Sequence, residues 1–67
     1  MENWKTVYTT DQLHKAELVR DFLREKIIDA VVMNKKDSAY GIGDIELYVT
    51  PEDQNAATEL IKKLNIK

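Results

Sequence analysis

The chain contains no cysteine, and this absence excludes disulfide bonds, thiolate nucleophiles and cysteine-ligated metal centres. Small secreted domains usually depend on disulfides for stability, so the absence also favours a cytoplasmic location. The first ten residues are polar and aromatic, and they include no continuous apolar segment of the kind that forms a signal peptide. We therefore expect a cytoplasmic protein.

Long apolar runs and a large net charge are also absent. The longest uninterrupted apolar run covers residues 30–33, which is far too short to cross a bilayer. The formal net charge of −2 provides no basic field of the kind that non-specific nucleic-acid binding requires. These absences predict a protein with no membrane segment and with little tendency to bind nucleic acid.

Length and composition indicate a single small globular domain over residues 1–67. Hydrophobic residues make up 43 % of the chain and charged residues 33 %, a balance that argues against disorder. A domain of this size buries only about 60 % of the surface that its unfolded chain exposes, so it has little room for a cofactor pocket. Any ligand is therefore expected on a surface or between subunits.

Runs of β-branched and aromatic residues alternate with helical patterns, and together they predict the element order β-α-β-β-α. Either Thr9 or Thr10 could cap the first helix, and Thr9 with Gln12 fits a capping box. Pro51 suits the first position of the second helix. The predicted elements are strand one (4–9), helix one (to about 26), strand two (30–35), a loop (36–43), strand three (44–50) and helix two (51–64).

Strand three has the clearest alternation in the chain. Ile45, Leu47 and Val49 point to one face, and polar or amphipathic residues point to the other. A sheet with one apolar face is expected to be antiparallel and covered by helices on that side only. The prediction is an α+β, ferredoxin-like half-sandwich with a three-stranded antiparallel sheet of order 1-3-2 and both helices on one face.

Strand one lies at an edge of this predicted sheet and should have unpaired backbone groups. Burying that edge, or the open face of the sheet, is the simplest physical reason for the chain to form a homodimer.

No set of residues indicates catalysis, a cofactor or a metal ion. His14 is the only histidine, and no second ligand or nucleophile is placed to cooperate with it. Gly41 and Gly43 form a lone G-x-G that precedes a strand, whereas a phosphate-binding loop leads into a helix. We therefore expect a protein that is not an enzyme and that has no catalytic, cofactor-binding or metal-binding residues.

Three aromatic residues are candidates for an interaction surface. If Trp4 and Tyr8 share the face of strand one that adjoins Tyr48, all three lie on the open face of the sheet. Such a cluster could anchor a protein interface or stack on nucleic-acid bases. The alternative is structural, with Trp4 tucked under the sheet edge and the tyrosines covering polar neighbours.

A second candidate cluster is basic and aromatic. Lys35, Lys36 and Tyr40 follow one another at the end of strand two and in the loop. They could contact an anionic ligand or a nucleic-acid backbone. Two lysines at the end of a strand also serve to keep its edge from pairing.

The pattern as a whole resembles a bacterial domain-of-unknown-function family described as putative prokaryotic signal-transducing proteins, with a fold related to the PII signalling proteins. The residues that carry the resemblance lie along most of the chain. They are Trp4 and 7–9 in strand one, 16–19 and Leu23 in helix one, 28–32 leading into strand two, the Gly43-x-Ile45-x-Leu47-x-Val49 pattern of strand three, and 51–53, 56–57 and 60–61 in helix two. The resemblance implies a PII-like domain. PII-like proteins contact partners through the loop between strands two and three, which corresponds here to 37–43.

One position departs from the family pattern. Many members have glycine just before the isoleucine that leads from helix one into strand two, whereas this chain has Ile27 there. Helix one is therefore expected to end without a glycine in the left-handed conformation, which puts the local turn in doubt.

These observations lead to a hypothesis of a binding or regulatory module, forming a weak homodimer, that engages a protein or a small ligand. The contact would use the open sheet face or the loop 37–43. Two alternatives stay open: an interaction domain that dimerises or adds an edge strand to a partner, and a weak nucleic-acid-binding domain.

Overall fold

A computed structural model describes residues 3–35 and 45–64 of the chain. Within these ranges the elements are β1 (Lys5–Thr10), α1 (Leu13–Glu25), β2 (Ala30–Asn34), β3 (Ile45–Val49), a 3-10 turn (Pro51–Asp53) and α2 (Gln54–Leu64). The strands form one three-stranded antiparallel sheet of order β1-β3-β2. The α+β half-sandwich predicted from the sequence is confirmed, and the predicted loop 36–43 lies outside the described residues.

The hydrophobic core lies between the helices and one face of the sheet. Along β3 the side chains of Ile45, Leu47 and Val49 are fully buried, as their alternation predicted. Burial of each such side chain contributes about 1.5–3 kcal/mol. The core is completed by side chains from both helices, from β2 and from the turn between α1 and β2, namely Ala16, Val19, Leu23, Ile28, Ala30 and Ala57. None of the described helices has the length and apolarity to span a bilayer.

Helix α1 begins without the predicted capping box. Its N-cap is Gln12, whose side chain makes no capping hydrogen bond, and β1 continues as far as Thr10. The Thr10 hydroxyl oxygen accepts a hydrogen bond from the backbone N–H of Gln12 at 3.2 Å. Thr10, the other candidate cap, thus makes a local turn just before the helix, and the N-cap position itself is Gln12. The predicted pairing of Thr9 with Gln12 is wrong.

Helix α1 ends in a left-handed residue although no glycine is present. Ile27 has a φ of 63°, and its N–H donates to the Arg24 carbonyl at 2.9 Å. The next N–H, of Ile28, donates to the Leu23 carbonyl at 3.0 Å, which completes a Schellman motif. Leu23 and Ile28 are both core residues, so the motif has its usual hydrophobic contact. The doubtful turn is therefore a regular cap with a strained β-branched residue in it.

A β-bulge divides β1. Thr6 lies opposite Tyr48, but the next paired residue, Tyr8, lies opposite Leu47, so Val7 is the extra residue. One extra residue turns every later side chain to the other face of the sheet. Tyr8 therefore points to the helix-covered face, where it packs with Val7 against the core. The expectation that Tyr8 shares the open face with Tyr48 is wrong.

Candidate functional site

The face of the sheet that points away from the helices is a mixed polar and apolar surface. Residues that pair across neighbouring strands share a face, so the register defines this surface from the central strand outwards. Tyr48 lies between Thr6 and Val31, and Glu46 lies between Thr9 and Met33. We name as the open face these six residues together with Lys35, that is Thr6, Thr9, Val31, Met33, Lys35, Glu46 and Tyr48.

Three side chains of the open face form a connected network. The Tyr48 hydroxyl donates to Glu46 Oε1 at 2.5 Å, and Lys35 Nζ lies 3.0 Å from the same oxygen. The Lys35 ammonium also lies over the Tyr48 ring, 5.9 Å from its centroid. Glu46 and Tyr48 meet because they are two residues apart in a strand, while Lys35 reaches them from the end of β2. Each member therefore contacts the other two.

The network shifts the pKa values of Glu46 and Lys35 in opposite directions. The hydrogen bond from Tyr48, followed by that from Lys35, holds the pKa of the Glu46 carboxyl below its ordinary value. The hydrogen bond to Glu46, followed by the one to Tyr48, holds the pKa of the Lys35 ammonium above its ordinary value. At neutral pH both groups are charged. The open face thus has a fixed ion pair with half of the lysine side chain exposed.

The residues singled out from the sequence fall into three groups. Lys35 and Tyr48 are brought together on the open face by the contacts above. Trp4 is half-buried directly before β1, and Tyr8 lies on the opposite face of the sheet. Lys36 and Tyr40 lie outside the described residues. One member of each predicted cluster, Tyr48 and Lys35, thus belongs to the same network, and the roles of Lys36 and Tyr40 stay predictions.

Sequence reasoning missed Glu46, which is the centre of the network. It was assigned only to the polar side of strand three. The available signal was the opposite charge of Lys35, which lies diagonally across from Glu46 when the two strands are paired. Using that signal requires the register, because a shift of one residue would place the two groups on different faces.

A second surface feature lies where α1 turns into β2. Arg24, Ile27, Ile28 and Asp29 line a shallow depression of about 290 Å³. Arg24 Nη2 donates to the Ala30 carbonyl at 3.4 Å, and the Ile27 side chain is 92 % exposed. Among residues 3–35 and 45–64, no cluster of three or more His, Cys, Asp or Glu side chains could hold a metal ion. The network of Lys35, Glu46 and Tyr48 makes the open face the better organised of the two surfaces.

The described architecture defines a class: a ferredoxin-like half-sandwich in which helices cover one face of a small antiparallel sheet and the other face carries a polar network. Within this class, the chain belongs to the DUF2007 family, described as "putative prokaryotic signal transducing protein", whose model matches residues 4–65. The resemblance inferred from the sequence is confirmed. No curated protein and no solved structure matches the chain.

Proposed function

We propose that this chain is a non-enzymatic binding module in prokaryotic signal transduction and that it engages a protein partner through the open face. The family description supports the signalling role. The observation that carries the proposal is the network of Lys35, Glu46 and Tyr48 on the side of the sheet away from the helices. Neither the Lys35 ammonium nor the Glu46 carboxylate belongs to the hydrophobic core.

The composition of the open face supports a protein contact. Tyrosine and methionine are enriched in protein interfaces, and here Tyr48 is half-buried and Met33 is 37 % exposed. Val31 adds apolar area beside Tyr48. A tyrosine that is already held by a hydrogen bond loses little conformational freedom on binding, which lowers the entropic cost of forming an interface. The surface therefore combines an apolar patch with a fixed polar anchor.

The shape of the surface favours a protein over a small molecule. Small-molecule sites are concave and bury most of their ligand, whereas the open face is one side of a sheet. The depression described above is lined by Arg24 and residues 27–29, none of which belongs to the open face. A partner that presents a carboxylate or carbonyl oxygens beside apolar side chains would match the exposed Lys35 ammonium and its neighbours.

The structure lowers the support for nucleic-acid binding. A base-stacking platform needs several aromatic side chains on one surface, and Tyr8 is packed under the helices. The net charge of −2 adds no electrostatic attraction for phosphates. The loop 37–43 stays a second candidate for the partner contact, and it lies outside the described residues.

Site-specific photocross-linking in cells tests the proposal. A photoreactive amino acid replaces Thr6, which is exposed beside Tyr48, and in the control it replaces Leu18, which is 57 % exposed on α1. We expect a discrete adduct from position 6 and none from position 18. The adduct must be heavier or lighter than two copies of the 7.8 kDa chain, so that self-association is counted separately.

Adducts that form only from position 18 would contradict the use of the open face. If position 6 gives an adduct, a second step tests whether the contact depends on the network. The Tyr48→Phe variant should then give several-fold less of the same adduct. A similar yield from that variant would remove the network from the proposal.

A further inference from the structure

The two edge strands of the described sheet differ in how well they are protected from further pairing. Strand β1 has a bulge at Val7 and a lysine at its first position, Lys5. Bulges and lysines are the features that keep sheet edges from pairing with other chains. Strand β2, Ala30–Asn34, has no charged residue within its bounds, although Lys35 follows it directly, and it pairs with β3 without a register shift. Among the described residues, β2 is therefore the more regular of the two edges.

The sequence around β2 is complementary to itself. When two copies of the segment 29–35 are placed antiparallel with Val32 opposite Val32, Asp29 of each copy lies opposite Lys35 of the other. In the same register Val31 lies opposite Met33 of the second copy. Opposite charges and apolar pairs in directly facing positions both stabilise antiparallel strands. This register therefore joins apolar residues at its centre and opposite charges at both ends.

The structure places three of these four groups, Val31, Met33 and Lys35, on the open face. Asp29 directly precedes β2, and in the proposed strand pair the alternation of the strand would bring it to the same side. Asp29 is exposed, and half of the Lys35 side chain is exposed while its ammonium contacts Glu46. Lys35 can therefore contact a carboxylate across the new strand pair as well as the one on β3.

One backbone carbonyl of β2 contacts a side chain from outside the sheet. The Ala30 carbonyl accepts a hydrogen bond from Arg24 Nη2, a group of α1 that does not belong to any strand. That bond is long, at 3.4 Å, so a backbone donor at normal distance can replace it at little cost. In the proposed strand pair, a backbone donor of the second copy would take the place of this side chain.

We propose that β2 pairs with β2 of a second copy, antiparallel and centred on Val32, so that two three-stranded sheets join into one continuous sheet. The resulting interface has two-fold symmetry and uses the same residues of both copies. It extends the open face across the two-fold axis. This assignment differs from the edge expected from the sequence, which was β1, and it does not depend on the partner proposed above.

Charge reversal tests the register. Asp29→Lys brings two positive charges together at each end of the strand pair and should raise the dimer dissociation constant about tenfold, which corresponds to about 1.4 kcal/mol. Lys35→Asp brings two negative charges together and should do the same. An equimolar mixture of the two variants restores opposite charges at both ends, so a heterodimer should form. Sedimentation velocity over a concentration series measures all three samples.

The wild-type chain must dimerise in the same experiment. A wild-type chain that stays monomeric at millimolar concentration overturns the proposal, and so does a dimer that both reversals leave unchanged. Thermal unfolding followed by circular dichroism shows that each variant is folded, which is needed because Lys35→Asp also breaks the contact with Glu46. Variants that dimerise alone as well as in the mixture would place the interface elsewhere.

A cysteine placed on the two-fold axis gives an independent test, since the chain contains no other cysteine. Directly opposite residues of antiparallel strands have Cα atoms about 4.5–5.5 Å apart, within the range that a disulfide spans. Val32→Cys should therefore form a covalent dimer under mild oxidation. The matched control is Thr6→Cys on β1, which is more exposed and should stay monomeric. A covalent dimer from the control alone would assign the interface to β1 and overturn the proposal.

Discussion

Tyr48 donates a hydrogen bond to Glu46 at 2.5 Å, although the two residues are neighbours on the face of the sheet that the helices leave open. Interior hydrogen bonds are expected because buried polar groups must be satisfied. A bond at the surface competes with water, and here a third member, Lys35, contacts the same carboxylate oxygen. The open face is thus ordered by its own side chains, and each of them can be changed singly.

The first prediction concerns the tyrosine. Tyr48→Phe removes the donor that contributes most to the low pKa of Glu46, so that pKa should rise towards its ordinary value. The loss of one partly exposed hydrogen bond should lower the free energy of unfolding by about 0.5–1 kcal/mol. Carbon-detected NMR titration of the Glu46 carboxyl measures the pKa, and urea unfolding measures the stability.

Tyr8→Phe is the matched control for this prediction, since Tyr8 is the tyrosine on the helix-covered side of the sheet. It should leave the pKa of Glu46 unchanged. The explanation would be wrong if the two variants shifted that pKa equally.

The second prediction concerns pH. Glu46 has a pKa below its ordinary value of 4.5 in the folded chain, so its contribution is present above that value and is lost as pH falls through the folded pKa. Lys35 has a pKa above its ordinary value of 10.5, so its contribution is present below that value and is lost as pH rises through the folded pKa. The network should therefore stabilise the fold between these two limits.

Glu46→Gln separates this effect from the other titrations of the chain. The difference in free energy of unfolding between the wild type and this variant should be constant near neutral pH and should shrink at both extremes. Urea unfolding at a series of pH values measures it. A difference that did not change from pH 7 to acid conditions would show that the ion pair contributes nothing.

The third prediction concerns the end of α1. Ile27→Gly removes the left-handed strain of a β-branched residue, whose side chain is 92 % exposed and loses little packing. The left-handed conformation costs a non-glycine residue about 1–2 kcal/mol, part of which is offset by the greater freedom of glycine in the unfolded chain. We expect stabilisation by about 1 kcal/mol in thermal or urea unfolding.

Ile27→Ala is the control for side-chain loss, because alanine still has a Cβ atom and a left-handed penalty. Its stability should lie closer to that of the wild type than the glycine variant does. If alanine stabilised the chain as much as glycine, the benefit would come from removing an exposed apolar side chain, and the strain would not be its source.

The fourth prediction compares the two faces of the sheet. Leu47→Ala removes a fully buried side chain and should destabilise the fold by about 2–5 kcal/mol, enough to unfold a domain of this size. Val31→Ala on the open face should cost less than half as much, because Val31 is only partly buried. Circular dichroism of both variants measures this difference. If Val31→Ala destabilised the fold as much as Leu47→Ala, the open face would be buried like the helix-covered face.

The sequence predicted the element order and the buried face of the sheet because those features depend on repeated patterns. Three buried residues of β3 share one alternation, and a single irregularity cannot hide it. The side on which Tyr8 lies depends on one extra residue, Val7, and nothing in the composition of β1 distinguishes a bulge from a regular strand. The open-face network needs the register of β2 against β3, which depends on a loop whose length permits several pairings.

The conformation at the end of α1 could not be predicted from the sequence for a different reason. A glycine at position 27 would have predicted the left-handed cap directly, whereas Ile27 gives no such signal although it adopts that conformation. Tertiary contacts explain the conformation: Leu23 and Ile28 both reach the core, and the Schellman geometry brings them there. Local propensity is overridden because burial of these two side chains outweighs the strain.

The bulge at Val7 also gives the two halves of β1 opposite parity. Before it, the even-numbered Thr6 faces solvent; after it, the odd-numbered Thr9 does, and the even-numbered Tyr8 faces the helices. A mutational scan of this strand should therefore change phase in the middle, with charged substitutions accepted at positions 6 and 9 and rejected at 8. Deleting Val7 would give β1 one regular alternation. The side chains of only one half of the strand could then keep the face on which they lie now.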